Sequence, residues 1–512
     1  MGLNNSSNTT QAMWLGLGNL ISFSFSIISA AILSRFLDKG EYGTYKQVLY
    51  VYNTLLVVFT VGLPRAYAYF LARAGIEEGK SIVRKINVIL FAVGIIFSLF
   101  LFAGAPLIAD VLKNQDLEKN IRIFSVTPLL LLPTMGVESV MATYRKSYIA
   151  TIYTILSRLF VLVCVVLPVI TIKATASNAI IGFVCSSALC CVLGFSLEQI
   201  PFSKTESVKS GLSVGEIFKF SFPLLIASIW GIIINSSSQF FISRYWGNEE
   251  FAEFSNGFIE LPFVGMILSA TSAVLLPVFS RQAYEHEETD HLVSTWISVI
   301  KKAAMIVFPL VVFCFVFAEP IITFLYGEIY TGTNTIKYFR IISFVNFIKI
   351  IPFAPLMLAL GKVKSYQRSH MVTAILIILM DTICVSLFPS TYAIAVISVF
   401  CTYFYTMIQV NTICKTINVR PSHIFPIKFL LKIIFLSVLS AAIGYLFIMI
   451  FHVKSCIISL VVGFSAFIVV YIFISNLAGI QYNIYFKSIF TRPNQSPNRP
   501  TNKYHVTDNG NK

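Results

Sequence analysis

Charge is what this sequence has least of. Only 12% of its 512 residues are Asp, Glu, Lys or Arg, against roughly 25% in a soluble domain. With 56% hydrophobic residues, 46 Phe and 23 Tyr, too little polar surface remains to cover a water-soluble globule, so the chain reads as an integral membrane protein. Paired cysteines are missing too. None of the nine cysteines forms a CxxC pair, and most fall inside apolar runs, so they read as small core side chains rather than a disulfide framework or zinc site. No polar stretch is long enough for an ATPase domain. Gly75-Ile76-Glu77-Glu78-Gly79-Lys80-Ser81 is one residue short of a phosphate loop and lacks the strand–helix setting such a loop needs. His286-Glu287-Glu288-Thr289-Asp290-His291 reads as a solvated connection rather than a metal site. No metal or other cofactor is expected.

What is present is a series of apolar runs of spanning length, about 20 residues each. Fourteen are expected, at 12–34, 48–71, 86–108, 121–143, 149–172, 177–199, 217–242, 252–280, 297–318, 336–360, 369–389, 391–414, 426–451 and 455–479. The boundary near Pro389 is the least marked. Met1 to Gln11 contain no Lys or Arg, and the run that follows exceeds the ~7–15 residues of a signal-peptide core, so it is expected to be the first retained span. The tail after Tyr482 is polar and is expected to be disordered and cytoplasmic.

The net charge of +15 would suggest nucleic acid in a soluble protein. Here the basic residues sit in short connections and act as topology signals, so no nucleic-acid partner is expected. With the N-terminus inside, about 24 Lys and Arg fall on cytoplasmic segments and about 11 on outer ones. Both termini are therefore expected in the cytoplasm. Asn-x-Ser/Thr matches at Asn4, Asn5 and Asn8 then lie on the cytoplasmic side and carry no weight.

An internal repeat organises the chain. Shifted by 209 positions, Ser34-Arg35-Phe36 falls on Ser243-Arg244-Tyr245, and Glu41-Tyr42-Gly43 falls on Glu250-Phe251-Ala252. With a few residues of drift, Ala105-Pro106-Leu107-Ile108 matches Glu319-Pro320-Ile321-Ile322. Six spans return the chain to its starting side, so the two copies share one orientation, a pattern of transporters whose substrate path lies between the halves. The expected units are 1–210, 211–420, a two-helix appendage at 421–481 and the tail at 482–512.

Charges inside spans are costly, roughly 2.5–3.5 kcal/mol each on insertion scales, and tend to face a cavity or a partner. Arg65 follows Pro64 in the second span, and Tyr69 and Arg73 continue one helix face. Arg158, Lys349, Glu138 and Asp381 lie within the fifth, tenth, fourth and eleventh spans. Glu253 and Glu260 are expected on one face of the eighth span, seven residues apart. Arg35 and Arg244 close the first and seventh spans at equivalent repeat positions. The cations suit an anionic phosphate or pyrophosphate, whose bare charge in low dielectric is prohibitive. A carboxylate among Glu138, Glu253, Glu260 and Asp381 could carry a coupling proton or sodium ion. Arg35, Arg73, Arg244 and Glu253 also suit an interfacial, snorkelling role, and Glu138 and Arg158 a structural ion pair.

The stretch Ile32-Leu33-Ser34-Arg35-Phe36-Leu37, with Glu41-Tyr42-Gly43-Thr44-Tyr45 and Gly62-Leu63-Pro64-Arg65-Ala66, resembles the opening of polysaccharide biosynthesis flippases. These are the bacterial O-antigen and capsule repeat-unit transporters of the multidrug/oligosaccharidyl-lipid/polysaccharide exporter superfamily. The resemblance implies an all-α membrane fold of two six-helix lobes in a V around a central cavity, with two more helices at the C-terminus. It implies a short glycan on undecaprenyl pyrophosphate, carried from inner to outer leaflet of the bacterial cytoplasmic membrane by alternating access. Polysaccharide polymerase and chain-length proteins become possible partners. Arg35 and Arg65 carry over on the motif itself and Arg244 through the repeat, whereas Arg158 and Lys349 rest on their intramembrane position.

Two other functions stay open. A drug or cation extruder of the same superfamily would favour acids over Arg65 and Arg158 in the first half. A polytopic glycan polymerase would need a sizeable outer loop with acidic catalytic residues.

Overall fold

Proline and glycine set where the helices stop. The computed structural model describes residues 8–203, 205–206, 208–284, 289–451, 455–480 and 482. Among them there are helices and connections and no strand, as the composition requires: in a bilayer the backbone must satisfy itself within each segment.

The first half opens with α1 (Asn8–Phe36) and α2 (Lys39–Thr60). Asp38 accepts the Glu41 N–H at 2.8 Å and caps α2. Val61 and Gly62 then take positive φ values of 50° and 71°. Pro64 restarts the chain as the short α3 (Pro64–Leu71), because its missing N–H costs nothing at a helix start. There follow α4 (Ile76–Val111), α5 (Asp116–Phe124), α6 (Thr127–Leu131), α7 (Val137–Thr143), α8 (Ser147–Thr171) and α9 (Ala176–Glu198). The pairs α1–α8 and α8–α9 pack along their lengths. At Gly182 a Cβ would lie 2.0 Å from the Cys164 carbonyl oxygen, so α8 and α9 approach as closely as backbones can.

The second half opens with α10 (Val214–Gly257), started by a reciprocal cap between Ser213 and Glu216. Gly247, at φ 82° and ψ −173°, divides it; that conformation is open to glycine alone at low cost. Next come α11 (Pro262–Tyr284), α12 (Thr289–Val316), α13 (Ala318–Tyr326), α14 (Asn334–Ser343), α15 (Val345–Lys349), α16 (Phe353–Ala359), α17 (Val363–Leu387) and α18 (Thr391–Thr416). After the turn α19 (Pro421–Ile424), α20 (Ile427–Ile450) and α21 (Cys456–Leu477) pair with each other, and dock on α12 and α13 respectively. The halves meet chiefly where α2 lies along α10.

Among the described residues, thirteen helical segments are long and apolar enough to cross a membrane, against fourteen expected. The difference falls on 252–280. No single helix covers it: residues 252–257 finish α10, the chain leaves the helix at 258–261, and α11 begins at Pro262. Glu253 and Glu260 therefore do not share a helix face, which corrects the expectation. The cause is Pro262, which disfavours helical geometry at the residue before it. The metal-like run around His286 and the tail after Tyr482 lie largely outside the described residues.

Candidate functional site

A cavity of about 390 Å³ opens in the second half, walled by α10, α15, α17, α18 and the break before α11. Its two charged groups both stand where a helix is interrupted. Glu260 lies in the break before Pro262, and Lys349 ends α15, just before Ile350-Ile351-Pro352. Interrupted backbone at membrane depth is tolerated where it lines a cavity or is covered by protein. Lys349 Nζ donates to Glu260 Oε1 in an ion pair, with the lysine side chain 26% and the glutamate 60% exposed.

Around this pair the wall is polar. Asn235 and Gln239 project from one face of α10, four residues apart, and neither side chain makes a hydrogen bond among the described residues. His370 Nδ1 donates to the Tyr366 carbonyl oxygen at 2.9 Å. That fixes the tautomer, so Nε2 accepts from the Tyr405 hydroxyl at 2.9 Å. Ser398 and Thr402 add hydroxyls from α18. A cation, a carboxylate, two amides and several hydroxyls in a volume of this size can hold an anionic, polyhydroxylated molecule. Deeper between α10 and α17, Asp381 is fully buried. Its Oδ2 accepts from Ser237 Oγ at 2.6 Å, while its Oδ1 has no partner among the described residues.

The other expected residues divide differently. Arg65, at the start of α3, is exposed, and its side chain makes no hydrogen bond or ion pair among the described residues. Arg73 lies just past α3, with its guanidinium 3.8 Å from the Tyr69 ring centre. That ring in turn stacks on Phe220 of α10 at 4.1 Å. Arg158 is exposed on α8. No ion pair joins it to Glu138, whose Oε1 instead accepts from Thr154 Oγ1 at 2.7 Å.

Arg35, Arg244 and Glu253 belong to a polar seam where the halves meet. Arg35 donates to the Phe324 carbonyl oxygen of the second half, and Arg244 donates to the Val111 carbonyl oxygen of the first. Each of these two arginines, aligned by the shift of 209 positions, thus bonds a carbonyl of the other part of the chain. Lys39 Nζ pairs with Glu253 Oε1 at 2.6 Å, and Glu253 Oε2 accepts the Asn334 N–H at 3.0 Å. Lys39 also lies over the Tyr330 ring, whose phenol burial pushes above its ordinary pKa. Tyr42 donates to Asn256 at 2.9 Å and Gln47 to Ser243 at 2.7 Å. At Gly43 a Cβ would fall 1.9 Å from the Asn248 carbonyl oxygen. The halves are therefore joined by this seam at the start of α2, by Tyr50 and Thr54 against Ser236 midway along it, and beyond its end by the stack of Tyr69 of α3 on Phe220.

The sequence reading missed His370, Tyr405, Asn235 and Gln239, since neutral polar residues within spans carry no charge to mark them. It also missed a buried chain in the first half. There Tyr67 donates to Asn87, and Asn87 Nδ2 donates to Glu198 Oε2 at 2.6 Å. Glu198 sits at the margin of an apolar run, where it reads as interfacial.

The fold recurs in solved transporters. The lipid II flippase MurJ in an inward closed conformation superposes with a TM-score of 0.68 at 15% identity, covering 93% of this chain and 99% of that one. An inward-facing multidrug resistance MATE family transporter of the MOP superfamily gives 0.65 at 11% identity, over 78% and 94%. A MOP superfamily transporter from Pyrococcus furiosus, described by the reverse polarity of its binding pocket, gives 0.58 at 12% identity, over 81% and 98%. At such identities the likeness establishes the fold alone, an all-α architecture, and the thirteen long apolar helices among the described residues make it that of a multi-pass membrane protein. Curated proteins give no significant sequence match. A family profile described as polysaccharide biosynthesis protein matches residues 32–335, more than half of the chain. The chain belongs to the polysaccharide biosynthesis protein family.

Proposed function

We propose that this protein is a flippase for a lipid-linked oligosaccharide. It would move a short O-antigen or capsule-type glycan on undecaprenyl pyrophosphate from the inner to the outer leaflet of a bacterial cytoplasmic membrane, with both termini in the cytoplasm. The observation that carries the reading is the cavity with Lys349 at its wall, in a chain of a polysaccharide biosynthesis family. A cation at membrane depth offsets the desolvation of an anionic headgroup, and the amides and hydroxyls beside it suit sugars. Arg65 and Arg158, exposed on α3 and α8, are the first-half cations proposed to serve the same substrate.

In this reading residues 1–210 and 211–420 act as two units and 421–481 as an appendage. The seam around Lys39 and Glu253 closes one side of the path; the stack around Tyr69 closes the other. Alternating access opens them in turn. Asp381, buried with one oxygen unpartnered, is the proposed carrier of a coupling proton or sodium ion. The chain makes and breaks no covalent bond; polymerase and chain-length proteins would act on the product.

The test is deletion of the gene in its host, with analysis of surface polysaccharide and of extracted polyprenyl-linked glycans. Loss of polymer with complete repeat units held on the inner leaflet is expected. A normal polymer with raised sensitivity to cationic drugs would replace this reading with extrusion, which the MATE-like fold also accommodates. Flipped but unpolymerised units would point to a polymerase.

A further inference from the structure

A second cavity lies in the first half, away from the one just described, and neither the fold nor the family assigns it a role. It has a volume of about 450 Å³ and is formed by the first turns of α4 and the end of α9. Along α4 the wall reads Lys80, Arg84, Asn87, Val88 and Phe91, a single helix face at three-to-four-residue spacing. The cations stand at the end that precedes the apolar run, at interface depth, and the apolar side chains follow toward the bilayer centre. From Lys80 to Phe91 the rise is about 16 Å, enough to cross the headgroup layer and enter the hydrocarbon.

The cavity opens sideways. Val88 is 60% and Phe91 46% exposed, and at this position the surroundings of an exposed apolar side chain are lipid. Arg84 makes no hydrogen bond or ion pair among the described residues. Lys80 gives one proton to the Thr205 carbonyl oxygen at 3.2 Å, which leaves two. The nearby carboxylates Glu77 and Glu78 are not part of the wall. The connection between α9 and α10 roofs this end of α4: Ser210 N–H donates to Ser81 at 3.3 Å, and Lys85 donates to the Ser210 and Leu212 carbonyl oxygens at 2.9 and 2.7 Å.

We infer that this groove holds one anionic glycerophospholipid of the surrounding membrane, its phosphate on Lys80 and Arg84 and the upper part of an acyl chain along Val88 and Phe91. Charge complementarity selects the headgroup, and basic pockets between spans are sites of this type. The volume of about 450 Å³ fits a glycerophosphate headgroup with the start of its chains. Because Lys80 of the wall also bonds the Thr205 carbonyl oxygen in the link between the halves, the lipid would sit beside that link.

The test uses the whole protein, purified, delipidated and examined by native mass spectrometry with phosphatidylglycerol, phosphatidylcholine or undecaprenyl phosphate. One phosphatidylglycerol is expected to be retained, preferred over phosphatidylcholine by about tenfold or more, as two cations on one phosphate imply. The double variant Lys80→Gln/Arg84→Gln should lose that preference, and Lys301→Gln/Lys302→Gln should keep it. Val88→Trp, on a lipid-facing surface where folding is little affected, should lower retention while both cations remain. Equal retention of the two phospholipids overturns the inference, as does an unchanged preference in the double variant. Displacement of phosphatidylglycerol by equimolar undecaprenyl phosphate also overturns it, by making the occupant a polyprenyl lipid.

Discussion

Lys39 Nζ lies 2.6 Å from Glu253 Oε1, and the two residues come from opposite halves of the chain. Their side chains are 24% and 11% exposed, so the pair is partly withdrawn from solvent screening. Glu253 has a second duty, since its other oxygen accepts the Asn334 N–H. Glu253→Gln should therefore cost about 1–3 kcal/mol of stability, read as a lowered Tm in detergent. A double-mutant cycle with Lys39→Gln should give a coupling of about 0.5–3 kcal/mol. Additive single effects would mean that the pair does not hold the halves together.

Gly43 tests the same seam by volume. Its missing Cβ would stand 1.9 Å from the Asn248 carbonyl oxygen, a backbone atom that cannot rotate away. Gly43→Ala should push α2 off α10 and lower both folded yield and transport. Gly16→Ala, where nothing lies within 4 Å of the added atom, should leave both unchanged. Wild-type behaviour of Gly43→Ala would show that the approach of the helices is not needed.

Lys349→Ala removes the cation from the second-half cavity. Loss of a charge-assisted contact to a phosphate is expected to lower transport about 10- to 100-fold, measured as polymer restored to a deletion strain at matched protein level. Lys349→Arg should retain part of the activity. Glu260→Gln should do less harm, because that carboxylate is 60% exposed and water can replace its partner. Full complementation by Lys349→Ala would remove this residue from the substrate path.

Asp381→Asn keeps the shape and the acceptor for Ser237 Oγ but removes the charge. The variant should fold, and transport should no longer respond when the proton or sodium gradient is collapsed. If gradient dependence survives in the variant, coupling lies elsewhere.

Much of the fold could be read from residues alone, and Arg35 and Arg244 show where such reading stops. Their matched places in the repeat were legible from a shift of 209 positions. Their reciprocal bonds to the Phe324 and Val111 carbonyl oxygens were not, because a carbonyl acceptor leaves no mark on sequence. Pro262 did signal a break in the expected eighth span, and its effect on Leu261 separates Glu253 from Glu260. Long apolar runs override such local punctuation when spans are counted by hydropathy alone.

By itself the sequence determined that this chain lives in a bilayer, as helices. Scarce charge and runs of about 20 apolar residues permit nothing else. Tertiary structure alone decided which charges meet. Lys349 found Glu260 across 89 positions, Lys39 found Glu253 across 214, and Arg65 found no partner among the described residues. The physical reason is that a charge in a span carries the same insertion cost wherever it stands, whereas its partner is set by how helices distant in sequence pack.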